Sequence, residues 1–459
     1  LIHGIGPSTT IDGKELSMTL TASSYVAPHK LLVDEGAIDS DHYTMADFVE
    51  QDDPDLFAKA RSYYAFIEDW KRKKTHFYLR RLLSACRNRV TVLDNLTDRP
   101  REMIMMGSNN YLGLSTHPKV IEAGQKALAK YGSGLCGAPH MNGLCDLVRE
   151  LEVRLARLKS CEDAMVFSTG YSANVGSVSA LIRSKDVALM DRWDHASIID
   201  GCRLSGGNFR AFRHNDMGHL ETLLQRCRHK FMGKLVVVDG VFSMDGDLAP
   251  LPEIVRLARL YGARVLVDDA HATGVLGSHG GGTTDHFHLE GQVDLVMGTF
   301  SKSLGCTGGF VAGNKEAVHY IRYYARSYMF SAGITPAVVA TALAALQVME
   351  EEPERRKQLW ENTRYLHDNL KAMGYTVFPS PPESAILIIT IGDNVKLRQM
   401  SREIHEGGVF VNAVPYPAVP LEKCCFRFSV MATHTRDDLD RTLDVMRKAG
   451  LEHGLLHAA

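Results

Sequence analysis

The residues able to do chemistry in this sequence gather at the ends of short apolar runs. The densest cluster is Val267-Asp268-Asp269-Ala270-His271-Ala272-Thr273-Gly274, two carboxylates and an imidazole directly after a hydrophobic segment. A charge at the end of a buried strand needs a partner. A pyridinium nitrogen would provide one, because a facing carboxylate keeps it protonated and lets the ring draw electrons from a carbanion. A helix cap with a hydrogen-bonded histidine is the plainer alternative. A second cluster, Gly298-Thr299-Phe300-Ser301-Lys302-Ser303-Leu304-Gly305, sets one lysine among hydroxyls and glycines. Most lysines are simply solvated. In a recess opposite a strand-end aspartate, the pKa of this one falls far enough for imine chemistry. A third, Ser168-Thr169-Gly170-Tyr171, reads as a strand entering a glycine turn that opens a helix. Free backbone N–H groups and the helix dipole make that a phosphate cradle, although the same letters cap ordinary helices.

The elements that must position these residues alternate. Apolar runs at Ala164-Met165-Val166-Phe167, Val187-Ala188-Leu189-Met190, Leu235-Val236-Val237-Val238, Arg264-Val265-Leu266-Val267 and Asp294-Leu295-Val296-Met297 are separated by amphipathic helical stretches. Continuous apolar strands between helices predict an α/β fold with a mostly parallel sheet covered on both faces. Ligands then sit at the carboxyl ends of the strands, where each run turns polar. The expected organisation is an N-terminal extension or linker over 1–56 and a helical segment over 57–107. A large domain over 108–350 and a smaller α+β domain over 351–459 follow, the last with strands at Ala385–Ile389 and Cys425–Ser429. Tyr63, Phe66, Ile67 and Trp70 recur at helical spacing between Phe57 and Lys74, as a docking face would.

Bulk properties exclude several classes. The 459 residues are 45% hydrophobic and 23% charged with a net charge of -2, so no basic field points to nucleic acid. No apolar run approaches the roughly 20 residues of a membrane span. The nine cysteines are scattered without zinc-type spacing, which predicts reduced thiols in the cytoplasm and no metal. The chain opens at Leu1 without a signal-like region and is read as a piece of a longer polypeptide.

Further motifs, in order, are Gly107-Ser108-Asn109-Asn110-Tyr111-Leu112-Gly113-Leu114, Gly132-Ser133-Gly134, His195-Ala196-Ser197-Ile198-Ile199-Asp200-Gly201, Ser243-Met244-Asp245-Gly246-Asp247 and the late Arg427. Together with the three clusters above they resemble the α-oxoamine synthase family of fold-type I pyridoxal 5'-phosphate (PLP) enzymes, over about Phe57 to Leu451. The resemblance implies PLP as cofactor, with Lys302 as the Schiff-base lysine and the acid/base that moves the α-proton. It implies Asp268 on the pyridine nitrogen, His271 on the ring hydroxyl oxygen, and His195 and Ser243 lining the ring pocket. Ser168, Thr169, Gly170, Tyr171 and Thr299 fall at the phosphate; Asn109 or Asn110 and Arg427 meet the amino-acid substrate. A guanidinium fork suits a carboxylate; a surface salt bridge is the alternative for Arg427. The implied reaction condenses a small α-amino acid with an acyl thioester, on coenzyme A or an acyl carrier protein, to an α-amino ketone. The implied assembly is a homodimer in which Ser331 and Thr335 reach the partner's phosphate. One departure is expected: Val148 stands where the family's ring-stacking histidine would align, with His140 as a substitute. That departure keeps open a non-catalytic regulatory subunit, beside other PLP reactions such as ketone cleavage or transamination.

Overall fold

The computed structural model describes residues 38–457; the linker-like threonine and serine stretches before residue 25 lie outside the described residues. The first long helix, α1 (Ala58–Arg72), buries Phe66 and Trp70 against Phe48 and Ile38, the aromatic face expected from its spacing. Next come β1 (Arg89–Leu93) and β2 (Pro100–Met105), an antiparallel pair. The helices α2 (Pro118–Tyr131) and α3 (Asp146–Leu158) lead into the central sheet.

That sheet has seven strands: β3 (Asp163–Phe167), β4 (Val187–Asp191), β5 (Asn208–Phe212), β6 (Lys234–Asp239), β7 (Arg264–Asp268), β8 (Leu295–Thr299) and β9 (Gly309–Gly313). Their spatial order is β3-β9-β8-β7-β6-β4-β5. All neighbours pair parallel except β9, which runs antiparallel to both β3 and β8. The runs of valine and leucine in β4, β6 and β7 suit strands with both faces buried. One face carries α4 (Gly170–Leu181) and α5 (Ala196–Leu204); the other carries α6 (Met217–Cys227) and α7 (Leu251–Leu260). Two strands, β5 and β9, lie outside the expected set. Asn208-Phe209-Arg210-Ala211-Phe212 is a mixed edge strand, and Gly309-Phe310-Val311-Ala312-Gly313 is bounded by glycines that read as turn.

Beyond residue 351 a four-stranded antiparallel sheet forms from β10 (Val377–Phe378), β11 (Ile386–Thr390), β13 (Asn412–Val414) and β14 (Cys425–Ser429). The short β12 (Val409–Phe410) instead pairs with β2, tying the N-terminal strands to the C-terminal part. Arg427 therefore sits mid-strand in β14, facing the rim of the central sheet. Among the described residues no helix is long and apolar enough to cross a membrane.

Candidate active site

The carboxyl ends of β6, β7 and β8 form the floor of the site. Asp239 and Asp268 are register partners at the ends of β6 and β7, and Lys302 follows β8 by three residues. Asp268 is 4% exposed. Its Oδ2 accepts from Asn174 Nδ2 at 2.7 Å and its Oδ1 from the Ala270 N–H at 2.8 Å. Asn174 projects from the second turn of α4 and also donates to Ser197 Oγ at 2.9 Å, so the helix that starts at the cradle also fixes the carboxylate. Burial pushes the Lys302 ammonium down from 10.5 to about 8; Asp268 and Asp239 oppose that shift and Arg427 reinforces it. A neutral amine is thus available near physiological pH, the condition for imine chemistry.

The histidines are neutral for the same reason. Burial, then the charges of Lys302 and Arg427, hold His271 well below the usual imidazole value. Its Nδ1 lies 2.7 Å from the Tyr111 hydroxyl. With Tyr111 donating, the neutral ring keeps its proton on Nε2 and can give it to an anionic oxygen. His195 caps α5 and is lowered chiefly by burial, with Asp268 pulling up and Lys302 pulling down. Asp239 Oδ1 accepts the His195 N–H at 3.3 Å. Burial and neighbouring carboxylates raise Asp239 and Asp194 well above the usual range.

At the start of α4, Thr169 accepts the Ser172 N–H at 3.0 Å. The N–H groups of Gly170 and Tyr171 find no acceptor among the described residues, which is the donor pair an anion needs. Close approach makes glycine necessary here: a Cβ on Gly309 would lie 2.5 Å from Gly170 Cα. Thr299 closes the cradle, its hydroxyl 2.9 Å from both the Ser301 hydroxyl and the Gly308 carbonyl. Ser168 sits half-buried at the strand end. The Tyr171 side chain turns away, its hydroxyl donating to Asp200, so its backbone rather than its phenol faces the cradle.

Arg427 is buried and aimed by three acceptors. Its Nε donates to the Ser243 carbonyl at 2.6 Å, and its Nη1 to Ser429 Oγ at 2.9 Å and Asn109 Oδ1 at 3.2 Å. At 6% exposed it is not on the surface, so a surface salt bridge is not its role. Of the two asparagines, Asn109 belongs to this cluster. Asn110 donates instead to Ser115 Oγ at 2.8 Å and the Cys86 carbonyl at 3.2 Å. Val148 is a core residue of α3, 3% exposed, while His195 joins His271 as a site imidazole that feels the charges of Asp268 and Lys302. His140 packs on Tyr323 and Tyr328 instead.

The donor set fits PLP. A carboxylate stands for the ring nitrogen, a neutral imidazole for the ring oxygen, orphan helix N–H groups for the phosphate and a low-pKa lysine for the aldehyde. Comparisons with known proteins agree. A model of the aminotransferase class I and II family matches residues 101–446. Serine palmitoyltransferase of Sphingobacterium spiritivorum is 45% identical over 385 residues, which is 84% of this chain and 94% of that enzyme. The 8-amino-7-oxononanoate synthase 1 of Bacillus subtilis (strain 168) is 42% identical over 362 residues, 79% of this chain and 92% of that one. This chain belongs to the α-oxoamine synthase family. Its fold matches a solved SPT structure with a PLP internal aldimine at a TM-score of 0.83 and 36% identity, covering 88% of this chain and 100% of that one. Another relative, 4-hydroxy-2,2'-bipyrrole-5-methanol synthase PigH of Serratia sp. (strain ATCC 39006), is 43% identical over 415 residues. That alignment covers 90% of this chain but 63% of PigH. The family assignment makes this chain a PLP-dependent acyltransferase of fold type I.

Tyr111, Asn174, Asp239 and Ser429 complete the site without having been singled out from the sequence. Tyr111 and Asn174 lie inside recognised motifs, where helical spacing from Thr169 could have flagged Asn174. Asp239 ends a strand like Asp268 and carried the same signal.

Proposed function

We propose that this protein condenses a small α-amino acid with an acyl thioester, releasing CO2 and the free thiol and leaving an α-amino ketone. The observation that carries the reading is Arg427. It is a buried guanidinium without a carboxylate partner among the described residues, held on the Lys302 side of the site by Ser243, Asn109 and Ser429. With Nε and Nη1 held by these protein acceptors, Nη2 is left to donate to a substrate carboxylate in a charge-assisted hydrogen bond and so to orient the bond that is to break. PLP, when bound, supplies the electron sink for the carbanion. Lys302 would hold the cofactor's aldehyde carbon, and its Nζ, which burial keeps largely neutral above about pH 8, would move the α-proton. Asp268 would hold the ring nitrogen protonated, and His271 would donate from Nε2 to the ring oxygen. His195 and Ser243 line the ring pocket. The Gly170 and Tyr171 N–H groups with Ser168, Thr169 and Thr299 hold the phosphate. Asn109 accepts from Arg427 Nη1 and helps fix its orientation.

The division of labour follows the chain: residues 108–350 would bind the cofactor and 351–459 supply Arg427, while 57–107, expected as a helical segment, hold α1 followed by the antiparallel β1–β2 pair. The working unit is a homodimer, in which Ser331 and Thr335, flanking the exposed Phe330 segment, would meet the partner's phosphate. The acyl group arrives on coenzyme A or on a carrier protein. Nine free cysteines support a cytoplasmic setting.

The test is the absorption spectrum of purified protein, with borohydride and with Lys302→Ala, followed by titration of glycine, alanine and serine. An imine band that requires Lys302 and shifts with one amino acid, together with thioester-dependent CO2 release, supports the reading. Pyridoxamine phosphate release without thioester would point to transamination, and a protein that takes up no PLP to a regulatory subunit.

A further inference from the structure

Behind the Asp268–His271 turn lies a second buried charge pair that the reaction does not use directly. Lys159 caps the C-terminal end of α3, where the helix dipole favours a cation. Its side chain is fully buried, as is that of Asp269. The ammonium spends its three donors on Asp269 Oδ2 at 2.9 Å, Thr273 Oγ1 at 2.8 Å and the Gly281 carbonyl at 2.7 Å. Asp269 Oδ1 accepts from the Thr283 hydroxyl at 2.5 Å, and the Thr283 N–H reaches both carboxylate oxygens at 3.2 Å. The backbone of Asp269 is equally committed. Its N–H donates to the Met297 carbonyl of β8 at 2.8 Å, and its carbonyl accepts from Ala272 at 3.0 Å and Thr273 at 2.9 Å. That turn displays His271, and Asp269 is the residue next to Asp268.

We infer that Lys159 is a positioning residue for the reaction: paired with Asp269, it locks the strand-end turn that presents Asp268 and His271 to the cofactor. The inference rests on the PLP reading above. Stability alone explains the pair poorly, because two well-packed apolar side chains would serve a core as well as a buried ion pair. The surrounding chain is cut to fit it. A Cβ on Gly240, beyond β6, would lie 2.7 Å from Asp269 Oδ1. One on Gly282 would lie 2.0 Å from Asp269 Oδ2 and 2.8 Å from Lys159 Nζ. The ammonium also lies 5.9 Å from the centre of the Phe310 ring, which stacks on Phe300 two residues before Lys302. One buried cation thus braces both segments that carry the reacting groups.

The test uses two holoenzyme variants beside wild type. The double variant Lys159→Met/Asp269→Asn removes both charges and leaves neither buried alone; Thr283→Val removes one hydrogen bond to Asp269 with little change in shape. Each is measured for thermal midpoint, PLP dissociation constant, and the pH midpoint of its visible imine band. Positioning predicts cooperatively folded proteins with PLP held about tenfold more weakly in the double variant and about threefold more weakly in Thr283→Val, both with a displaced pH midpoint. Wild-type PLP affinity and pH midpoint in the folded variants would overturn the role and leave a structural staple. If the double variant does not fold, Thr283→Val decides by the same two readouts. A wild type that binds no PLP would instead overturn the PLP reading itself.

Discussion

Lys302 should capture PLP at a pH where an ordinary lysine hardly reacts. Burial lowers its ammonium from 10.5 to about 8, and only the neutral amine attacks an aldehyde. At pH 8 a free lysine side chain is about 0.3% neutral, whereas a group with a pKa of 8 is half neutral, a ratio of about 160-fold. The assay is the stopped-flow growth of the imine band when PLP is added to apoenzyme, followed from about pH 6 to pH 10. The observed rate should rise through a midpoint near 8 and level off above it. Two substitutions then move that midpoint in opposite directions. Asp268 raises the Lys302 value and Arg427 lowers it, so Asp268→Asn should shift the midpoint down and Arg427→Ala should shift it up. A wild-type midpoint near 10, or shifts of the same sign in both variants, would refute the electrostatic account of how this lysine is activated.

Arg427→Lys keeps the charge but loses the fork, so KM for the amino acid should rise about tenfold, the order expected for a hydrogen bond to a charged group; an unchanged KM with an intact cofactor spectrum would remove the clamp. Thr169→Ala should cost about 1 kcal/mol of stability through the lost helix cap, read as a lower urea midpoint, and should weaken PLP binding at the same time. Burial depresses His214, but its bonds to Asp191 and Asp247 outweigh that and raise it to about 9. Its contribution is therefore complete below its ordinary 6.5 and lost as pH rises through 9. Urea unfolding at about pH 6 and pH 10 should show a loss on the order of 2–3 kcal/mol in wild type that is absent in His214→Phe.

The residues whose chemistry depends on position along a strand were legible directly. A valine run with polar residues at its carboxyl end specifies a buried parallel strand and places Asp268 and Lys302 on one rim, whatever else the chain does. The glycine turn before α4 announces free N–H donors for the same local reason. Contacts between segments far apart in sequence were not legible. Asn109 and Asn110 are neighbours of one type, and only the packing of β14 against the 107–114 segment decides that Asn109 meets Arg427 while Asn110 turns inward. Val148 aligns by spacing with a catalytic position, yet α3 presents it to the core, and the imidazole beside the site comes from the cap of α5. Lys159 looks like any lysine at a helix end until the loops carrying Asp269 and Gly281 close over it. Local sequence determined the strand ends and the helix starts because backbone hydrogen bonding and side-chain periodicity are short-range. Which side chains share a desolvated volume, and so which of them change pKa, was decided only when the sheets and helices packed and water was excluded.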